Sequence, residues 1–230
     1  MLPSDLRQAE AQALSALHSA LAGGGRGRWT VELRFEGLKV LPLALRLAPP
    51  LRERQPALRI LFPDAGAMAL ARRDGGDLAP LISSLGDHRR RQEAGEDLDA
   101  LLLIVQPGPS DYGLVEEVCE AQAGSVVLLN PTLEDAAVGI GSVARSRRKG
   151  FLSQWQAAYS LRPFPDSALR RAHPGDWELY RLDPDGFRLA ASFPRKPDAE
   201  EQATALGGDG ERGLGQPLRS LGDLIDNLQR

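Results

Sequence analysis

Three short apolar segments of this chain each end on a polar residue beside a proline. Asp64 follows Phe62-Pro63 and precedes Gly66. Gln106 precedes Pro107. Asn130 precedes Pro131, with Glu134 and Asp135 close behind. If the apolar segments are parallel strands, these residues share the carboxyl rim of one sheet, where ligands collect in open α/β folds. Asp64, Asn130, Glu134 and Asp135 would then form a polar site, with metal-assisted chemistry among its options. The same acids could instead cap helices, accepting free backbone N–H groups and meeting the positive end of the helix dipole.

A second constellation is Gly139 and Gly141 in Val138-Gly-Ile-Gly141, followed by Arg145, Arg147, Arg148 and Lys149. A glycine turn beside a basic cluster could hold a phosphate or another anion. With Ala144 in the third place the spacing fits the relaxed dinucleotide pattern G-x-G-x-x-A. That motif should follow a strand directly, and here the loop from Asn130 to Asp135 intervenes. Arg145 and Arg148 lie three apart, so they share a face if the stretch is helical and could grip a carboxylate or phosphate together. The alternatives are a solvated basic face, or a structural clasp in which Glu134 or Asp135 pairs with these arginines. Asn130, preceding proline, is expected to be extended, with its side chain free to bond the loop.

Other reactive residue types are less informative. His173 and Asp176 stand in Arg170-Arg171-Ala-His-Pro-Gly-Asp-Trp177, which reads as a turn entering a strand with Trp177 in the core. His88 falls in a charged connection and has no companion. Neither a phosphate loop nor a G-x-S-x-G nucleophile elbow occurs. The lone cysteine, Cys119, has no His or Lys near it in sequence and reads as a buried, unreactive thiol. One cysteine and three scattered histidines argue against a zinc site. The residues specify no cofactor.

The elements that must position these groups follow from periodicity. The chain has 230 residues, 42% hydrophobic and 26% charged, which suits one α/β domain or a domain with a tail. A net charge of -3 speaks against a nucleic-acid binder. No apolar run is long enough to span a bilayer. The start, MLPSDLRQAEAQ, reads as neither a signal nor a transit peptide, so a cytoplasmic location is expected. Residues 4–22 have helical spacing with Ser4 as the cap, and 29–35 alternate as a half-buried strand. Strands are expected at 57–62, 101–105 and 125–129, and helices at 67–73, 78–85 and from Ser110. Residues 87–97 read as an exposed connection, and 37–56, with Pro42, Pro49 and Pro50 inside the stretch, stay unassigned. Residues 151–158 suggest a helix, followed by extended chain at 159–164. Two alternating segments around Asp183-Pro184-Asp185-Gly186 signal a hairpin. The expected fold is α/β: a mainly parallel sheet flanked by helices, an antiparallel hairpin at one edge, and a tethered C-terminal helix.

Composition divides the chain into a domain over 1–197, a flexible linker over 198–215 rich in Gly, Glu and Asp, and an amphipathic helix over 216–230. The last carries Leu218, Leu221, Leu224, Ile225 and Leu228 on one stripe.

The strings Leu61-Phe-Pro-Asp-Ala-Gly66, Leu129-Asn-Pro131, Leu133-Glu-Asp135, Val138-Gly-Ile-Gly141, Arg145, Arg148, Tyr159-Ser-Leu-Arg162-Pro163 and Pro174-Gly175 with Trp177 resemble the DUF1995 family of cyanobacteria and plastids. The likeness covers roughly residues 4 to 196. It extends to assembly proteins of the low-photosystem-II-accumulation type. The resemblance implies a non-enzymatic auxiliary or assembly factor linked to photosynthesis, binding protein partners of the photosystem assembly machinery, with peripheral contact at the thylakoid surface. It carries over no catalytic residues. The alternative is a nucleotide- or phosphorylated-metabolite-binding domain, or an enzyme, that holds an anionic ligand at the rim around Asp64, Asn130 and Arg145.

Overall fold

The computed structural model describes residues 1–133 and 150–207. The elements within them are α1 (Leu6–Leu21), β1 (Arg28–Leu33), α2 (Val40–Arg54), β2 (Leu58–Phe62), α3 (Ala65–Asp74), β3 (Ile82–Ser84), α4 (Leu85–Glu93), β4 (Leu101–Val105), α5 (Tyr112–Ala121), β5 (Val126–Leu129), β6 (Gln156–Phe164), β7 (Ser167–Ala172), β8 (Trp177–Asp183), β9 (Gly186–Phe193) and α6 (Ala199–Ala205). The strand order is β3-β2-β4-β5-β1-β6-β7-β8-β9. Strands β3, β2, β4, β5 and β1 are parallel, and β6 to β9 are antiparallel. This is the mixed α/β sheet that the sequence implies, with the hairpin β8–β9 at one edge. No helix of the described residues is long and apolar enough to cross a membrane. The chain divides into two compact units: a parallel unit of Ala20–Val31 and Lys39–Gln156, and a ribbon unit of Met1–Ser19, Glu32–Leu38 and the chain from Ala157 onward.

The parallel unit is built around β4. All five of its residues are buried, and it pairs with β2 on one side and β5 on the other. A strand covered on both faces must be apolar at every position, which is why Leu101 to Val105 do not alternate. Helix α2 forms in the stretch the sequence leaves unassigned, with Pro49 and Pro50 inside it. Each interior proline costs about 3 kcal/mol. Val40, Leu43, Ala44, Leu47, Ala48 and Leu51 bury one stripe of this helix, and each larger side chain returns about 2 kcal/mol. Burial therefore overrides the propensity of the prolines.

Two expectations in this unit are corrected. Residues 78–85 are not a helix. A 3-10 turn over Gly76–Leu81 leads into the short strand β3 and the start of α4. Residues 87–97 are not an exposed connection. Ser84 caps α4, and His88 and Gln92 are buried on it. The polar letters conceal this because the Gln92 amide donates to partners inside the fold. Gln92 Nε2 donates to Gln122 Oε1 at 2.7 Å and to Val118 O at 3.1 Å, while Gln122 Nε2 donates to Ala100 O at 2.7 Å. Arg59 grips Asp97 with Nε at 2.9 Å and Nη2 at 2.6 Å, and Arg91 Nε joins at 2.8 Å. Burial works to raise the Asp97 carboxyl, but these arginines outweigh it and hold its pKa below the usual value. Cys119 is buried, and its burial pushes the thiol up to about 12, which suits an unreactive side chain.

In the ribbon unit α1 begins with Asp5, not Ser4, as its cap, since Gln8 N donates to Asp5 Oδ1 at 2.8 Å. Gln12 on α1 takes Tyr159 Oη at 3.2 Å and Arg170 Nε at 3.1 Å. Arg170 also meets Glu178, which accepts from Tyr180 Oη at 2.8 Å. Glu32, on the polar side of the alternating segment, is buried and pairs with Arg162 and Arg34. Arg34 N donates to Leu161 O at 2.9 Å. Residues 156–158, expected to be helical, open β6, and β7 is a further strand. The expected linker from residue 198 instead opens with α6, which carries an Asp198–Glu201 capping box and sets Ala205 and Leu206 against Leu169, Trp177 and Leu179. The remainder of the expected linker and the helix over 216–230 lie outside the described residues.

Leu103→Asp should lower stability by about 4 kcal/mol or more, because the strand centre offers a carboxylate no partner. Chemical denaturation measures this, and an unchanged midpoint would place Leu103 outside the interior. A pH effect should accompany His88. Burial lowers its folded pKa below the usual value, against the pull of Gln122 and Asp97, while Arg59 and Arg91 add to the lowering. The unfolded chain then binds a proton near pH 6.5 that the folded chain refuses. Stability is complete above that pH and falls below it, by up to about 1.4 kcal/mol per unit. Between pH 7 and 5 the His88→Leu variant should lose less stability than the native chain, and equal slopes would refute the assignment. Finally, a chain ending at Pro197 should fold but be less stable, by about 1–2 kcal/mol, than one ending at Gly207, because it lacks Ala205 and Leu206. Equal melting of the two chains would place α6 outside the core.

Candidate functional site

The parallel unit changes winding direction between β2 and β4. From β1 the chain moves through α2 to β2, and through α3 to β3 at the edge. It then returns through α4 to β4, and through α5 to β5. Right-handed crossovers put connections running in opposite directions on opposite faces of the sheet. Accordingly α2 packs with α3, and α4 packs with α5. From adjacent carboxyl ends, β2 and β4, the chain therefore departs in opposite directions. That topological switch point is where open α/β sheets form ligand crevices.

A cleft of about 400 Å³ occupies this place, lined by Phe62, Pro63 and Asp64 after β2 and by Val105, Gln106 and Asp111 at and beyond the end of β4. Leu41, Ala67, Gly108 and Ser110 complete its wall. Asp64 caps α3, its Oδ1 accepting from Ala67 N at 2.6 Å. Asp111 Oδ2 accepts from Gly108 N at 2.7 Å. Each carboxylate has a second oxygen with no hydrogen bond among the described residues. The capping role weighed for Asp64 from sequence thus holds, and it leaves part of the group facing the cleft.

Gln106 is the residue the sequence reading named only as a strand end. Its φ is 50°, in the left-handed region, and its backbone N–H donates to Leu129 O at 2.8 Å. A non-glycine residue held there costs on the order of 1–3 kcal/mol, and such residues concentrate at functional sites. The Gln106 side chain is exposed and makes no hydrogen bond among the described residues. Pro107 behind it blocks a right-handed continuation.

Asn130 repeats the device one strand further on. Its φ is 49°, and its N–H donates to Val31 O at 2.8 Å. The expectation of an extended Asn130 is thereby corrected: the strand must end abruptly at a proline, and Asn tolerates the left-handed region better than most residues. Asn130 is 6% exposed and is not part of the cleft wall. The structure thus brings Asp64 and Gln106 together and leaves Asn130 at the adjoining strand end. Glu134, Asp135, Gly139, Gly141, Arg145 and Arg148 lie outside the described residues. Among the described residues no group of three or more His, Cys, Asp or Glu side chains is arranged to hold a metal ion.

The ribbon unit offers a different surface. Strand β9 closes the strand order, so its outer edge pairs with no strand among the described residues. Leu189 on it is 55% exposed, and Arg188 and Ala190 beside it are exposed too. Near the start of β8, Trp177 is buried with Arg171 at 5.8 Å and Lys196 at 5.9 Å from its ring. His173 N donates to Ala158 O at 2.8 Å, in keeping with a turn that enters the strand.

A comparison with curated proteins finds no match. The family model described as "Domain of unknown function (DUF1995)" matches residues 3–204, and the chain belongs to that family.

Proposed function

We propose that this protein is a non-catalytic auxiliary or assembly factor linked to photosynthesis, acting by binding a protein partner near the thylakoid surface. The edge of β9 carries this reading. It presents eight residues of strand, Gly186–Phe193, with an outer side that pairs with no strand among the described residues and an exposed Leu189. Folded proteins usually blunt such an edge with charge or proline. Here Arg188 is the only charged residue in the strand and no proline interrupts it. An extended segment of a partner adds to an edge of this kind through main-chain hydrogen bonds, while side chains such as Leu189 set specificity. The likeness to photosystem assembly proteins in the strings around Asn130 and Gly139 supports the choice of partner.

The cleft at the switch point favours a second reading, in which the domain holds a small ligand between the ends of β2 and β4. The two readings use surfaces in different units and are tested separately.

For the first, a photo-crosslinking amino acid placed at Leu189 should label a photosystem assembly protein in thylakoid membranes. The same group placed at Arg90, exposed on α4, should not. Leu189→Glu should abolish capture by a crosslinker at Ala190 without changing the melting temperature. Equal labelling from positions 189 and 90, or undiminished capture in the Leu189→Glu variant, would refute the reading.

A further inference from the structure

The switch-point cleft also constrains the chemistry of what enters it. We infer that the cleft binds a small neutral or cationic molecule that carries hydroxyl or amine donors on an apolar body, and that it rejects phosphates and carboxylates. The inference rests on the second reading above, that the cleft is a ligand site.

Three observations converge on it. First, the cleft stands where the winding of the sheet reverses, and the size of about 400 Å³ suits a small organic molecule. Secondly, its polar groups are mainly acceptors. Asp64 and Asp111 each spend one oxygen on the backbone and keep the other uncommitted among the described residues. The Gln106 amide, held at the mouth by its left-handed backbone, supplies a carbonyl and an NH2, and Ser110 supplies a hydroxyl. Thirdly, no Lys, Arg or His is among the described residues of the wall. An anion would meet two carboxylates with no cation among the described residues of the wall to offset them, and like charges brought together repel. Leu41, Phe62, Pro63 and Val105 provide the apolar surface against which a ring or aliphatic body packs.

The sequence also suggests an anionic ligand at the rim through the basic residues from Arg145 onward, which lie outside the described residues. The described wall pairs Asp64 with Asp111 and Gln106, and the charge preference follows from them.

A probe series on one body separates the terms. Tyramine, tyrosol and 4-hydroxyphenylacetate share a phenol ring and differ in a cationic, neutral or anionic head. Each is titrated into the full-length protein while the backbone amide resonances of Asp64, Gln106, Gly108 and Asp111 are followed by NMR. Tyramine and tyrosol should shift these resonances, with 4-hydroxyphenylacetate binding at least about tenfold more weakly. Asp64→Asn keeps the helix cap, since Asn caps as well as Asp, and should narrow the tyramine-to-anion ratio several-fold. Gln106→Ala should weaken tyrosol without lowering the melting temperature. Tighter binding of 4-hydroxyphenylacetate or inorganic phosphate at these amides would overturn the inference while leaving the cleft a ligand site. If no probe moves these amides in the folded protein, the ligand-site reading falls and the inference falls with it.

Discussion

The need to bury both faces of β4 governs the parallel unit. Leu101 to Val105 present apolar side chains on both sides of the sheet, so helices must cover both. With crossovers of one hand, the chain can cover both faces only by reversing its direction of winding. The reversal falls between β2 and β4, and no connection of the described residues passes over their carboxyl ends. The cleft is a consequence of core burial, and Asp64 and Gln106 come to line it because each directly follows a strand that the core requires.

The opposite end of the same strands is closed by polar groups. Arg28 Nη2 donates to Cys119 O at 2.7 Å and to Gln122 O at 3.1 Å, its Nη1 donates to Gly124 O at 3.1 Å, and Arg26 Nη2 reaches Cys119 O at 3.0 Å. These guanidinium groups join the Gln122 N–H, 3.3 Å away, in satisfying Cys119 O at the end of α5, bond the carbonyls of Gln122 and Gly124 just beyond it, and complement the negative end of the helix dipole. A Cβ at Gly124 would lie 2.5 Å from the carbonyl oxygens of both Asp99 and Ala100, so the turn into β5 admits only glycine at that close approach. With one end of β4 and β5 clamped, the left-handed residues Gln106 and Asn130 at the other end are held against their own preference. A strained conformation persists only where its surroundings determine it.

The ribbon unit solves burial differently. Alternation gives its sheet two distinct faces. Tyr159, Arg170, Glu178 and Tyr180 share one of them with Gln12 of α1 as a hydrogen-bonded group. Leu169, Trp177 and Leu179 form the other, against Ala205 and Leu206 after α6. Burial pushes the Tyr159 hydroxyl up to about 12, and burial with the Glu178 carboxylate does the same for Tyr180, so both serve as donors. Among the described residues the faces are covered but the outer edge of β9 is not, because α1 and α6 lie against faces and cannot satisfy a row of in-plane backbone groups.

How much of this was legible in the sequence depends on the range of the interaction. Periods of two and 3.6 are local, so the apolar strands β2, β4 and β5, the hairpin β8–β9 and helix α1 could be read from neighbouring residues. Composition and charge set the class of the chain, and the strand-end prolines marked Asp64, Gln106 and Asn130 as rim residues. Non-local contact decided the remainder. The prolines of α2 conceal a helix that exists because its apolar stripe is buried. The polar letters of α4 conceal a buried face because Gln92 finds Gln122 thirty residues away. The choice of Asp64 with Gln106, with Asn130 set apart, depends on strand order, which local periodicity does not encode. The residues alone determined which elements form and what each strand end can offer chemically. The tertiary structure decided which of those ends meet, because adjacency in a sheet is set by burial on both faces and by the hand of the crossovers.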